Sequence, residues 1–533
     1  GHHRYIHCFP TRRSSDLIKE EFNHYKVIHS AKPKWLGRQH LDITQSFGFE
    51  KLPGGEGTSY KTWRESSSYL GRPPMLYVGA NDGMLHAFNA TTGVEKFAFV
   101  PNAVFPNLSQ LTGTSYKHQY FVDGAPRGSD AYIGGQWRSY LLGSLAAGGK
   151  SIFALDVTSP DSFSASDIKW EFTDAADLGY TFSQPTIARL ASGHWVAIFG
   201  NGYQSSNNKA VLFILNLADG SVLKKIDTGV GSSTTPNGLS TPVPIDLDGD
   251  RITDVVYAGD LQGNLWKFDL SGTSTSQWES AFKSGSTPIP LYTARDGSGK
   301  VQAITARPAV GRHKDGGEMV YFGTGQYFMS DDNIVSSSGP MQSVYGIWDK
   351  KAAISQTTRS VLQQQSITSE TVAFGRNLRL VSKNPIDWAA KLGWYLDLSY
   401  PSGTITGERV VSMPLVRHGR VIFVTLIPST IPCDHGGNSW LMEVDAISGG
   451  RLEESVFDLD KDGEFNEKDN EPGTKTPISG LGSEQGIIKT PGIIEAGTNE
   501  YKYTTGSTGD IGVTSEKGGN ANSKGRRSWI QLR

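Results

Sequence analysis

A two-part pattern recurs along the 533-residue chain and constrains its fold more than any other feature. A short β-rich run ends in Gly, a turn follows, and a second β-rich run ends in Asp or Asn. In the clearest copy, Leu76-Tyr77-Val78-Gly79 is joined through Asn81-Asp82-Gly83 to Leu85-His86-Ala87-Phe88-Asn89. In another, Val255-Val256-Tyr257-Ala258-Gly259 is joined through Gln262-Gly263-Asn264 to Leu265-Trp266-Lys267-Phe268-Asp269. Looser copies begin at Leu141, Ala197, Val320 and Ile422. Alternation of small or polar with large residues is the period-2 signature of half-buried strands, and the turns supply the positive-φ residues that tight hairpins need. A Pro marks successive units, at Pro126, Pro185, Pro242, Pro308, Pro414 and Pro491, spaced by roughly 60 residues with one gap of roughly 100. That gap holds two units if Trp394-Tyr395-Leu396-Asp397-Leu398 is the second half of a further hairpin, which gives about seven units. Four-stranded units repeated in this way are what a β-propeller requires. The expected class is therefore all-β, a propeller of seven modified blades over residues 70–533 with no internal linker.

Composition agrees. Gly is 62 of 533 residues, against a usual ~7%, as suits a chain of many turns. The 51 basic and 53 acidic residues nearly cancel, to a net charge of −2, which argues against nucleic acid or a membrane surface as a partner through bulk charge. No apolar run is long enough to span a bilayer. The two cysteines, Cys8 and Cys433, exclude a disulfide framework and a Cys-rich zinc module. Residues 1–17 (GHHRYIHCFPTRRSSDL) show no initiator Met, apolar core or periodicity; they read as a non-native segment, with the natural chain expected to begin upstream. Residues 18–69 read as an irregular or partly helical lead-in, with 18–30 the main helical candidate. The Ser/Thr/Gln-rich stretch 350–390 reads as an excursion from a blade.

Two acidic runs point to calcium. In Asp246-Leu247-Asp248-Gly249-Asp250-Arg251-Ile252-Thr253-Asp254, carboxylates stand at relative positions 1, 3, 5 and 9, and Ile252 would offer its backbone carbonyl at position 7. Carboxylates this crowded repel one another without a cation. A hard cation taking six to eight oxygen ligands removes that repulsion, and the spacing wraps a loop around it, with Gly249 allowing the sharp turn. The second run, Asp458 to Asp469, places Asp458, Asp460, Asp462, Gly463, Asn466 and Asp469 at positions 1, 3, 5, 6, 9 and 12 of an EF-hand loop, with Glu464 at position 7. Asp replaces the usual Glu at the last position, and no flanking helices are evident. It reads as an EF-hand-like loop on a β scaffold. The expected metal ligands are Asp246, Asp248, Asp250, Ile252, Asp254, Asp458, Asp460, Asp462, Glu464, Asn466 and Asp469, and the expected cofactor is Ca2+. Magnesium suits such loops less, because it keeps several waters.

No catalytic constellation is visible: G-x-S-x-G, H-E-x-x-H and P-loop motifs are absent. His435 beside Cys433 lies in a Pro/Gly loop without an ordered helper. Trp137, Trp170, Trp195, Trp266, Trp348 and Trp440 fall in strand patterns, as blade core rather than a sugar-stacking platform. The reading is of a non-enzyme.

Several motifs together carry a family resemblance. They are Val122-Asp123-Gly124-Ala125-Pro126, Gly135-Gln136-Trp137-Arg138, Gly148-Gly149-Lys150, the run Asp246–Asp254 leading into Tyr257-Ala258-Gly259-Asp260-Leu261-Gln262-Gly263-Asn264-Leu265-Trp266, Gly393-Trp394-Tyr395, Gly436-Gly437-Asn438-Ser439-Trp440, Gly449-Gly450-Arg451-Leu452, and the terminal Gly525-Arg526-Arg527-Ser528-Trp529. The chain resembles the C-terminal propeller domain of the PilC/PilY type IV pilus tip-associated adhesins. The resemblance implies a modified seven-bladed propeller that binds calcium at Asp246–Asp254. It implies a secreted, cell-surface or outer-membrane protein at the pilus tip, needed for pilus assembly. The implied partners are tip or minor pilins and host-cell or surface receptors, with calcium regulating retraction, twitching motility and attachment. An Arg-Gly-Asp tripeptide known in the family is absent here, where Arg127-Gly128-Ser129 and Arg295-Asp296-Gly297 stand. Two other readings are a quinoprotein-like propeller dehydrogenase, which the lack of a vicinal cysteine pair opposes, and a calcium-stabilised lectin-like adhesin without a pilus role.

Overall fold

Each apolar β-run of this chain carries large residues on both faces, so no single sheet can bury itself. The computed structural model, which describes residues 40–41, 47–113, 117–354, 359–431 and 436–519, solves this with seven radially packed sheets that form an all-β, seven-bladed propeller. Residues 1–17, the helical candidate 18–30, Cys433 to His435 and the terminal Gly525–Trp529 motif lie outside the described residues.

Blade 1 consists of His40–Leu41, Met75–Gly79, Leu85–Asn89 and Glu95–Phe99. Blade 2 is Arg127–Ile133, Gln136–Ser144, Ile152–Asp156 and Ile168–Phe172, and blade 3 is Thr186–Arg189, Trp195–Gly200, Val211–Asn216 and Val222–Asp227. Blade 4 is Val243–Ile245, Val255–Gly259, Asn264–Asp269 and Glu279–Ser280. Blade 5 is Ala309–Arg312, Glu318–Gly323, Ser343–Asp349 and Gly393–Asp397. Blade 6 is Leu415–Arg417, Arg420–Val424, Trp440–Asp445 and Gly480–Gly482, and blade 7 is Gly492–Ala496, Asn499–Thr505 and Ile511–Lys517. Neighbouring strands within these sheets run antiparallel. Each of the six marker prolines stands immediately before the first strand of a blade, from Pro126 before Arg127 to Pro491 before Gly492. A Pro there fixes φ and gives up a donor just where pairing begins.

The count of seven holds, but one unit is assigned differently. Gly393–Asp397 is not part of a separate hairpin; it pairs with Ser343–Asp349, Tyr345 opposite Tyr395, as the fourth strand of blade 5. The interposed chain supplies Gln363–Gln365, which runs parallel to it, and the hairpin Ile367–Ala373/Arg376–Val381, which extends blade 6 beyond Gly480–Gly482. The six marker prolines introduce blades 2 to 7, and the seventh unit is blade 1, which none of them precedes.

The strands are also more buried than a half-exposed pattern implies. Trp195–Gly200 is buried along its whole length. Its Ala197 and Phe199 pack with blade 2 residues such as Leu142 and Ala154, whereas Val196 and Ile198 pack with blade 4 residues such as Val256 and Trp266. Equivalent clusters fill the seams between blades 1 and 2, 4 and 5, and 5 and 6. The six tryptophans singled out from the sequence are all buried in the blades. The seam between blades 6 and 7 differs. Its apolar cluster is small, and beside it Glu443, Glu500, Lys502 and Glu516 are fully buried, with Lys502 Nζ 2.5 Å from Glu443 and in contact with Glu516.

The glycine that ends the second strand of a blade has a steric cause. A Cβ on Gly200 would lie 2.3 Å from the Ser240 carbonyl oxygen and 2.4 Å from that of Leu239, in the segment entering blade 4. Gly200→Ala is expected to cost about 1–3 kcal/mol through overpacking against backbone. Gly297→Ala, where nothing lies within 4 Å, is the neutral control, and thermal unfolding midpoints measure the difference.

Candidate metal centre

The first acidic loop joins the first two strands of blade 4, so its ends are held by the Val243–Ile245 to Val255–Gly259 ladder. Within it, short side chains fold back on the backbone. Asp246 accepts hydrogen bonds from the Gly249 amide at 2.6 Å and the Arg251 amide at 2.9 Å. Asp248 accepts from the Asp250 amide, and Asp250 from that of Ile252 at 2.7 Å. These bonds turn the loop inward and bring one oxygen each of Asp246, Asp248 and Asp250 within 4.8 Å of one another. Two ligands bound at about 2.4 Å to one ion cannot be farther apart than this, so the three oxygens fit a calcium-sized ion. A donor set made only of carboxylates suits a hard cation and not zinc or copper.

Asp254 stands apart from this trio. Its carboxylate accepts from the Leu247 amide at 2.7 Å and closes the neck of the loop. Burial pushes its carboxyl up to about 6, helped by the nearby charges of Asp248, Asp246 and Asp250. Asp250 is also raised, by burial first and then by Asp248 and Asp246. The like charges expected from the spacing are thus brought together. The Ile252 side chain packs into the apolar cluster of blades 2 and 3.

The second run lies between the third and fourth strands of blade 6. It gathers oxygens of Asp458, Asp460 and Asp469 within the same 4.8 Å. Asp469 is buried and accepts from the amides of Leu459 and Asn466. Asp462 instead pairs with Lys468 at 2.9 Å, Glu464 is exposed, and Asn466 caps the short helix Glu467–Asp469. The run is tied to blade 7, where the Asp458 amide donates to the Ser515 carbonyl and Phe457 bridges to Glu516.

Three features around these loops have no local sequence signature, because their partners come from far along the sequence. Arg312 of blade 5 donates to the Leu247 carbonyl at 2.6 Å. Arg251 donates to the Gly48 carbonyl at 3.1 Å. His418, Glu495 and Glu500 also converge as a possible ligand set, but the Arg417 guanidinium already bridges the two carboxylates, at 2.6 Å from Glu500. That cluster is an ion-paired rim of the blade 6–7 seam.

Among the described residues, no helix is long and apolar enough to cross a membrane. A family model described as the PilY1 beta-propeller domain matches residues 52–375. A type IV pilus biogenesis factor PilY1 homolog of Xylella fastidiosa (strain Temecula1) is 42% identical over 411 residues, covering 75% of this chain and 28% of the relative. Type IV pilus biogenesis factor PilY1 of Pseudomonas aeruginosa (strain PAK) is 38% identical over 554 residues, covering 97% of this chain and 46% of the relative. The chain thus spans less than half the length of either curated relative. The crystal structure of the Pseudomonas aeruginosa PilY1 C-terminal domain matches with a TM-score of 0.72 and 35% identity, covering 86% of this chain and 95% of that one.

The elevated Asp254 carboxyl yields a pH prediction. In the cation-free protein it is protonated below about pH 6, which removes a negative charge beside the trio and weakens its pull on a cation. Calcium affinity should be steady above that value and fall by up to about tenfold per pH unit below it. Calorimetric titrations at about pH 7.5 and about pH 5 test this, with Asp254→Asn flattening the dependence.

Proposed function

Since the chain belongs to the family of PilY1 β-propeller domains, we propose that it is the propeller part of a non-enzymatic, calcium-regulated type IV pilus biogenesis factor and tip adhesin. The observation that carries the calcium part is the convergence of Asp246, Asp248 and Asp250 on one point within a hairpin whose ends are locked into a blade. The pilus part rests on the names of the relatives at 42% and 38% identity.

Calcium, when bound, supplies a double positive charge that offsets three or four crowded carboxylates. The chain does the rest. Asp246, Asp248 and Asp250 hold the ion, and Asp254 fixes the neck through the Leu247 amide. Arg312 fixes the Leu247 carbonyl from the next blade. Among the described residues, the metal-ligating side chains gathered at this point are the three carboxylates alone. Because the loop runs directly into Val255-Val256-Tyr257, ordering it fixes the end of a blade strand. Binding that occurs only in the ordered state shifts that equilibrium by its differential affinity. In cells, this acts on the balance of pilus extension and retraction, on twitching motility and on attachment. The partners are tip or minor pilins and surface receptors, and the site of action is the cell surface at the pilus tip. The second loop, through Asp458, Asp460 and Asp469, is a second calcium site that secures the blade 6–7 junction.

Asp254→Ala in the full-length protein removes the carboxylate at the neck of the loop and leaves the Leu247 amide without its acceptor. Cells carrying it should show fewer surface pili or altered retraction at all calcium concentrations, and Asp254→Lys, which places a positive charge in the loop, should restore piliation without calcium. Counting surface pili and twitching zones across a calcium series measures this. Wild-type behaviour of Asp254→Ala cells would mean that the ion is structural only.

A further inference from the structure

The second half of the first loop touches the lead-in segment at every step. Arg251 holds φ of 77°, a left-handed conformation that few side chains adopt without a local reason. That conformation sends its guanidinium onto Gly48, where Nε donates to the carbonyl at 3.1 Å. The fit is close: a Cβ on Gly48 would lie 2.9 Å from the Arg251 guanidinium. Ile252 packs against the cluster that contains Leu52 and Tyr60 and is flanked by Phe49 and Trp63. The Thr253 amide donates to the Arg189 carbonyl at 2.8 Å, and the Arg189 side chain makes a two-pronged pair with Glu56, at 3.0 and 2.9 Å. Three consecutive loop residues thus reach residues 48–63 by a hydrogen bond, an apolar contact and a relayed ion pair.

The lead-in is itself a compact unit on blades 2 and 3. The helix Gly54–Arg64 buries Gly57 and Tyr60. The Tyr60 hydroxyl donates to the buried Asp130 at 2.8 Å and accepts from the Phe47 amide. Phe49 stacks on Trp137 and meets Trp195 edge-on. The Gly54–Arg64 sequence is a poor intrinsic helix former, with three glycines in its first four residues. Its order therefore depends on the tertiary contacts it makes.

We infer that the lead-in from Phe47 to Arg64 is the element through which occupancy of the first loop is read. This rests on calcium binding at that loop as described above. Drawing Asp246, Asp248 and Asp250 onto an ion fixes the backbone between them, and Arg251, Ile252 and Thr253 follow within the same turn. The lead-in then docks against a fixed loop instead of a mobile one. Because coupling is reciprocal, docking of the lead-in strengthens calcium binding by the same factor.

Hydrogen exchange read by mass spectrometry on the 533-residue chain, with calcium or with chelator, tests the inference. Calorimetry with calcium on the same samples, run beside Asp246→Ala, establishes binding at the first loop independently. Calcium should slow amide exchange in 47–64 by about fivefold or more, beyond any change in blade 1, which carries neither acidic loop. The double variant Gly48→Ala/Glu56→Gln, altered only outside the loop, should still bind calcium but lose most of that slowing. Should that variant unfold, Glu56→Gln alone serves, with a partial loss expected. Calcium binding without a change in 47–64 overturns the inference and leaves the calcium reading intact, as does slowing that persists fully in a folded variant. Absence of calcium binding overturns both.

Discussion

Burial between blades is the constraint on which the rest of the molecule depends. A four-stranded sheet with large apolar residues on both faces is stable only when sandwiched, and the sheets of blades 2 to 6 are each one wall of two clusters. Close stacking leaves no room for a side chain where the second strand of one blade meets the chain entering the next, which is why glycine stands at Gly200. It also fixes the hairpins that carry the acidic loops. Where apolar filling is thin, between blades 6 and 7, buried ion pairs replace it. Breaking one partner of such a buried pair would leave an uncompensated charge in the seam.

The first loop exploits that rigidity. Its ends belong to a blade that cannot move independently, so the carboxylates of Asp246, Asp248 and Asp250 stay close despite their repulsion. Burial first, and the neighbouring carboxylates after it, raise the carboxyls of Asp254 and Asp250. The loop is also contacted from three directions: Arg189 of blade 3, Arg312 of blade 5 and the lead-in at Gly48. A cation that reorganised this loop would act on several elements together, whereas an isolated surface turn would act on none.

Much of this was legible in the residues. The Gly-ended and Asp-ended runs, with their prolines, mark the blades because strand period, turn chemistry and the inner-strand start each demand a residue type. The acidic spacing marks both loops for the same reason. What was not legible is long-range. Trp394-Tyr395-Leu396 has the pattern of any blade strand, and only pairing with Ser343–Asp349 shows that it completes blade 5. The helix Gly54–Arg64 is hidden by its glycines; Gly57 is needed because a Cβ would lie 2.3 Å from the Leu52 carbonyl oxygen. Asp462, Glu464 and Asn466 share the EF-hand spacing of Asp458 and Asp460, yet a lysine pair, solvent and a helix cap engage them. Local spacing proposes ligands, and the surrounding fold decides which of them converge.

The central claim is that the first loop is a calcium site built into the propeller and not an acidic turn. Calorimetric titration of the chain with calcium, run beside Asp246→Ala, tests it most directly. Asp246 sits at the point of convergence and contributes little to the core, so the account predicts loss of one binding event with an unchanged circular dichroism spectrum. Equal stoichiometry and affinity in the two proteins would contradict it.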